Sequence, residues 1–193
     1  PGCLDRATYG ALEPFPVAYL ASFLLKHGYE VQIADEMAGD TFQKSFNHFK
    51  PDIVGVTSTT QLVGRAYQIL DWSRKNGALA VIGGPHASAL PDEASRHADI
   101  VVVGDGELAM LEIAEGKVRT GAIKRDSVPD ISELPFPARE LLRMDFYRSA
   151  RKTFPNHIFG FAPPDAVTAS IITTRGCPYR CIFCYNSRRD LPV

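Results

Sequence analysis

The sequence predicts an α/β protein built on a doubly wound parallel sheet, and three observations predict it. Between Pro16 and about Glu115, short apolar, β-branched runs alternate with segments of helical periodicity. The runs are apolar throughout, as strands covered on both faces are, where a half-exposed strand would alternate. Loops of Gly, Ser, Thr and Pro join each run to the next helix, which is the connection of a βα unit.

Pro16 to His27 is apolar on more than one face, starts with a proline and is followed by Gly28, the asymmetry of a helix with defined ends. Tyr29-Glu30-Val31-Gln32-Ile33-Ala34 then reads as a strand. Phe42 to Phe49 is an amphipathic helix, with Phe42, Phe46 and Phe49 at helical spacing. Asp52 to Thr57 is a buried strand, and Leu62 to Lys75 a helix closed by Asn76-Gly77. Leu79 to Ile82 is the next strand and ends in Gly83-Gly84-Pro85. Pro91 to Ala98 is a short helix, Asp99 to Val103 a strand ending in Gly104-Asp105-Gly106, and Glu107 to Glu115 the next helix.

The chain opens on a helix, whereas a sheet of this kind starts with a strand. Within this flavodoxin/Rossmann-like class, the flavodoxin-like order 2-1-3-4-5 places that first strand inside the sheet. The sequence therefore predicts a gap between the segments at Val31 and Val54, and a longer natural protein of which this is a fragment.

Beyond Gly116 the character changes. Lys117 to Arg125 reads as a short hairpin. Ser127 to Pro137, with Pro129, Pro135 and Pro137, reads as an extended linker. Leu141 to Arg151 fits a helix and 155–165 a loop, and Val167 to Thr174 is a strand running straight into Arg175-Gly176-Cys177. The predicted organisation is an α/β domain over 1–125, a linker over 126–165 and the start of a second domain over 166–193.

Composition narrows the function classes. A formal net charge of −1 offers no bulk attraction to nucleic acid or an anionic membrane. No stretch approaches the ~20 apolar residues that span a bilayer, and the first ten residues lack a signal peptide's apolar core. A cytoplasmic protein is expected. Of the four cysteines, Cys3 stands alone and three fall close together at 177, 181 and 184. That distribution fits thiolates held for a metal better than a disulfide framework.

The segment Arg175-Gly176-Cys177-Pro178-Tyr179-Arg180-Cys181-Ile182-Phe183-Cys184 is a C-x₃-C-x₂-C arrangement. Thiolate is the soft ligand that cluster iron prefers. Three cysteines without a fourth leave one iron open, by the logic that separates open catalytic sites from closed structural ones. A structural zinc site would need a fourth ligand, and no His follows Cys184.

This pattern, with an aromatic (Phe183) before the last cysteine, resembles the signature of radical S-adenosylmethionine enzymes. The resemblance implies that Cys177, Cys181 and Cys184 hold a [4Fe–4S] cluster, that S-adenosylmethionine chelates the fourth iron, and that Phe183 packs near its adenine. Three earlier stretches, Pro51 to Ser58, Gly83-Gly84-Pro85-His86-Ala87 and Gly104-Asp105-Gly106-Glu107, resemble the cobalamin-binding domain fused to such enzymes. The linker Ile131 to Arg139 resembles the segment that joins the two domains. Together they imply the N-terminal part of a cobalamin-dependent radical S-adenosylmethionine enzyme that methylates an unactivated carbon. Alternatives are an oxidative cyclase of porphyrin-type biosynthesis or, in this length, a cobalamin-binding module without turnover.

Ligands on open parallel sheets bind outside the carboxyl ends of the strands. The candidate cofactor-binding residues there are Ser58, Thr59 and Thr60, then Gly83, Gly84 and His86, then Gly104, Gly106 and Glu107. Ordinary βα turns use the same residue types. The Asp-x-His-x-x-Gly motif of many cobalamin domains is absent, which implies a cobalt without a protein His beneath it unless His86 serves. Asp105 and Glu107 could act as acid or base, or favour the dipole of the following helix. Arg175, Arg180, Arg188 and Arg189 form a positive patch, either solvated or facing an acidic electron donor such as flavodoxin or ferredoxin. The other expected partner is a small-molecule substrate. Trp72 and the Phe42/Phe46/Phe49 stripe are predicted core.

Overall fold

The computed structural model describes residues 13–125, 130–152, 170–176, 179 and 181–184. Helix α1 (Phe15–Lys26) carries Pro16 in its first turn, where a missing N–H leaves no hydrogen bond unmade. It is buried on two sides. Phe15, Tyr19 and Phe23 pack with Leu134, while Ala18 and Ala21 pack with Ile33, Ala138 and Leu142. Helix α2 (Phe42–Phe49) buries Phe42 and Phe46 edge-on against Trp72, with ring centroids 5.6 and 4.8 Å away.

Four parallel strands follow in spatial order β1-β2-β3-β4: β1 (Ile53–Thr57), β2 (Leu79–Gly83), β3 (Ile100–Val103) and β4 (Gly121–Lys124). Val54 pairs with Ala80, Val81 with Ile100, and Ile100 with Gly121. Helix α3 (Val63–Lys75) returns the chain from β1 to β2. Helices α4 (Gly84–Ala89) and α5 (Pro91–Ala94) lie between β2 and β3, and α6 (Glu107–Ala114) between β3 and β4. One face of the sheet buries Ala80, Ile82 and Val101 under Ala66, Leu70, Ala87 and Ala94. The other buries Val81, Ile100 and Val102 under Ala109 and Ile113 of α6. Cover on both faces explains the unbroken apolar runs of β2 and β3, and the doubly wound class is as expected, but β1, expected as a buried strand, is the edge strand and buries only Val54.

Four other elements differ from expectation. Residues 29–34 are extended but form no strand, and the backbone of 30–34 finds no hydrogen-bond partner among the described residues. A strand exists only with a neighbour to bond, and a gap separates this segment from β1, the sheet's edge. Within 117–125 there is no hairpin. Gly121–Lys124 instead runs parallel to β3 after the crossover through α6. The Gly83-Gly84-Pro85 turn is the entrance to α4, with Pro85 in the first turn, where proline is tolerated. Of the strand expected over 167–174, residues 170–174 are not in a strand and the others lie outside the described residues.

Between the sheet and the cysteine segment, single helical turns at Ile131–Glu133 and Arg139–Leu141 lead to helix α7 (Met144–Lys152). Tyr147 of α7 is buried and donates a hydrogen bond to Asp35, which ties α7 to the loop after the extended segment. Arg139 reaches the Ser170 carbonyl (2.5 Å) from a position over the Phe15 ring.

Candidate functional site

A cavity of about 2280 Å³ lies between the extended segment 29–37, the outer edge of β1 and the carboxyl ends of β1 to β3. Leu20, Val81, Val102 and Met110 give it apolar walls, and the loops after the three strands form its rim. The expected gap beside β1 and the expected ligand crevice are thus continuous.

The rim is built by backbone contacts. After β1, the buried Ser58 accepts from the His86 N–H at its carbonyl (3.1 Å), and its own N–H donates to the Gly83 carbonyl (3.4 Å). These bonds draw the loop after β1 against the start of α4. Gly84, at φ +89°, completes the closure, because a Cβ there would overlap Thr57 Oγ1 and lie 3.1 Å from the Ser58 nitrogen. After β3, the Gly104 N–H donates to Ser88 Oγ (3.0 Å). Beside Gly106 the Leu20 side chain of α1 packs so closely that a Cβ would lie 3.1 Å from it.

Six of the predicted binding residues line the cavity: Ser58, Gly83, Gly84, Gly104, Gly106 and Glu107. Thr59 and Thr60 are exposed and do not. His86 also does not. It is 2% exposed, with Nδ1 3.2 Å from Thr60 Oγ1 and Nε2 3.0 Å from the Tyr67 hydroxyl. That hydroxyl donates to Glu93 Oε1 (3.1 Å), and the Tyr67 ring stacks on His97, whose Nδ1 is 3.0 Å from Asp71. Burial, then the bond to Glu93, pushes the Tyr67 hydroxyl up to about 12. Both His86 nitrogens are occupied within this network, so the histidine is a structural node on the opposite side of the β1 loop. Phe183 is 90% exposed and stands clear of the cavity.

Two ion pairs on the rim were not anticipated, although Glu107 itself is a predicted binding residue. Arg65 of α3 forks onto Glu36, with Nε–Oε2 2.8 Å and Nη2–Oε1 2.5 Å, across the mouth beside β1. The Arg65 bond holds the Glu36 carboxyl below the usual carboxylate range. On the far side, Arg175 makes a bidentate contact with Glu107, which raises the guanidinium above its ordinary value. Residue spacing carries no signal for either pair, since the partners lie 29 and 68 positions apart.

Cys177 lies outside the described residues. Cys181 is exposed and Cys184 half-buried, and the Cys184 N–H donates to the Cys181 carbonyl (3.0 Å) across a tight turn. Two soft thiol donors thus share one turn, a donor set suited to cluster iron. Among the described residues no three potential ligands converge. Nor is any described helix long and apolar enough to cross a membrane.

The geometry of a large, glycine-rimmed, mainly apolar crevice at the carboxyl ends of parallel strands fits a bulky planar ligand with polar edges. Residues 4–114 match the model of the B12 binding domain. The chain is 31% identical over 90% of its length to an uncharacterized methyltransferase of Pyrococcus horikoshii. It is 31% identical over 81% of its length to the bacteriochlorophyllide d C-8(2)-methyltransferase of Chlorobaculum tepidum. It is also 27% identical over 91% of its length to the anaerobic magnesium-protoporphyrin IX monomethyl ester cyclase of Rubrivivax gelatinosus. The matches cover 40%, 32% and 35% of those three proteins.

Proposed function

The chain belongs to the B12-binding domain family, and from that premise we propose that its cavity receives the corrin of a cobalamin for a radical S-adenosylmethionine enzyme. The observation that carries the reading is the placement of Ile172, Arg175 and Gly176, the run-up to Cys177, on the rim of the same crevice that Ser58, Gly84 and Gly104 line. One crevice would then serve both halves of the chemistry.

In this reading Cys177, Cys181 and Cys184 hold the [4Fe–4S] cluster. When bound, the cluster supplies the electron that cleaves S-adenosylmethionine to methionine and a 5′-deoxyadenosyl radical, and cobalamin supplies a methyl group. The protein's own part is to exclude water and to orient. Leu20, Val81, Val102 and Met110 offer an apolar wall, and the backbone at Gly84 and Gly104 lets a large ring come close. His86 stays in its network, so no protein imidazole reaches the cavity from that loop. The exposed Phe183 is left to cover the adenine. Methyl transfer to an unactivated carbon of a small molecule is the favoured outcome, with flavodoxin or ferredoxin as donor. The similarity to the cyclase keeps oxidative ring closure as the second reading.

The test is anaerobic reconstitution of the natural-length protein with iron, sulfide and hydroxocobalamin, followed by reduction and addition of S-adenosylmethionine. 5′-Deoxyadenosine and methionine are expected in equal amounts. A fully loaded, reduced protein that forms neither would sink the radical reading.

A further inference from the structure

The segment that leads into the first thiolate is anchored to the sheet through one side chain. Arg175 Nη1 lies 3.0 Å from Glu107 Oε2, and Nη2 lies 2.6 Å from Oε1. Asp105 stands 3.8 Å from the same guanidinium, and the Tyr19 ring lies beneath it at 5.9 Å. A surface ion pair contributes little. This one differs, because Glu107 is 4% exposed and Arg175 24%. Removing one partner strands a charge in a poorly solvated place. The planar fork also fixes direction as well as distance, which a lysine ammonium would not.

The neighbours make the grip consequential. Glu107 opens α6, and Gly106 beside it is wedged against Leu20 of α1. The backbone that carries Glu107 is therefore fixed at the start of α6. Gly176 follows at φ +90° on the cavity rim, one residue before Cys177. We propose that Arg175 is a positioning residue: Glu107 and Asp105 clasp it and so fix where the thiolate-bearing segment meets the carboxyl end of the sheet. The proposal deepens the two-cofactor reading and rests on it. It also gives Glu107 a new role, as the docking carboxylate for this segment in place of a ligand contact.

Native-state proteolysis of this chain separates docking from cofactor chemistry, since the amides of 171–176 make no hydrogen bond among the described residues. With thermolysin, which cuts before apolar residues such as Ile171 and Ile172, Arg175→Gln and Glu107→Gln should each speed cleavage there on the order of tenfold, with unfolding of the sheet unchanged. The double variant should match either single one, because both break the same fork. Arg175→Lys should fall between wild type and Arg175→Gln. Should Glu107→Gln fail to fold, Asp105→Asn takes its place, with a smaller increase expected at the same bonds. Unchanged cleavage at 171–172 in the carboxylate variants, or effects that add, overturns the clasp.

The positioning role has its own readout in the natural-length protein carrying cob(II)alamin and a reduced cluster. Arg175→Gln should keep iron and corrin at wild-type content yet weaken the magnetic interaction between the two centres seen by electron paramagnetic resonance. An unaltered interaction in a variant whose segment is released overturns the positioning role. A wild-type protein that loads neither group overturns the cofactor reading and leaves the proteolysis result standing.

Discussion

Replacing Gly84 by alanine tests whether the β1 and β2 ends are closed as tightly as the cavity rim requires. Gly84 sits at φ +89°, where an L side chain costs roughly 1–2 kcal/mol. Its added Cβ would also overlap Thr57 Oγ1 and lie 3.1 and 3.2 Å from the Ser58 nitrogen and oxygen, inside the hydrogen-bonded loop itself. Relief by backbone movement of that kind costs typically about 1–3 kcal/mol. The expected loss is therefore about 2–5 kcal/mol. Gly104 supplies the control, because its φ is +90° but nothing lies within 4 Å of an added Cβ. Gly104→Ala should lose only the conformational part, about 1–2 kcal/mol. With a urea slope of ~2 kcal/mol/M, the midpoint should fall by ~1–2.5 M for Gly84→Ala and by ~0.5–1 M for Gly104→Ala. Equal shifts in the two variants would refute the close approach of the two loops.

Three further outcomes follow from the same contacts. Leu70→Ala, at a fully buried position under the sheet, should cost about 2–5 kcal/mol in urea unfolding, and a loss under 1 kcal/mol would contradict the packing of α3. The unfolded chain releases a tyrosine proton near pH ~10, whereas Tyr67 releases it at about 12. Its contribution is complete below the first value and fades as pH rises toward the second. The wild-type minus Tyr67→Phe stability difference should therefore shrink across that window, and a flat difference counts against the buried network. Cys181→Ser or Cys184→Ser should abolish iron–sulfur absorption and bound iron after reconstitution, while Cys3→Ser retains about four irons per chain. Retention by Cys184→Ser would remove it from the ligand set.

The strands β2 and β3 were legible because burial on both faces writes an unbroken apolar run into the sequence, and β1 carries such a run although, at the sheet edge beside the cavity, it buries only Val54. Residues 29–34 read as a strand through alternating apolar and polar residues, and Ile33 is indeed buried. A ladder, however, is a property of two segments, and the one that would bond this segment is not among the described residues. Gly121–Lys124 shows the converse, since pairing with β3 makes a strand of a segment with little apolar character. The glycines of the rim were legible because turns that close need them. His86 was misplaced because a Gly-Gly-Pro-His stretch reads as a loop, whereas Pro85 in a first turn starts α4 and swings the imidazole toward Tyr67 and Thr60. The Arg175–Glu107 fork had no sequence signal, because only the folded sheet brings the two residues together.

The most direct measurement is equilibrium dialysis of hydroxocobalamin against the folded natural-length protein, followed by gel filtration and the visible spectrum of the protein peak. One corrin per chain should travel with the protein, and the Tyr67→Phe variant, altered only on the far side of the β1 loop, should retain it equally. A folded protein that emerges free of corrin absorption, with the ligand recovered in the small-molecule fraction, would contradict the assignment of the cavity.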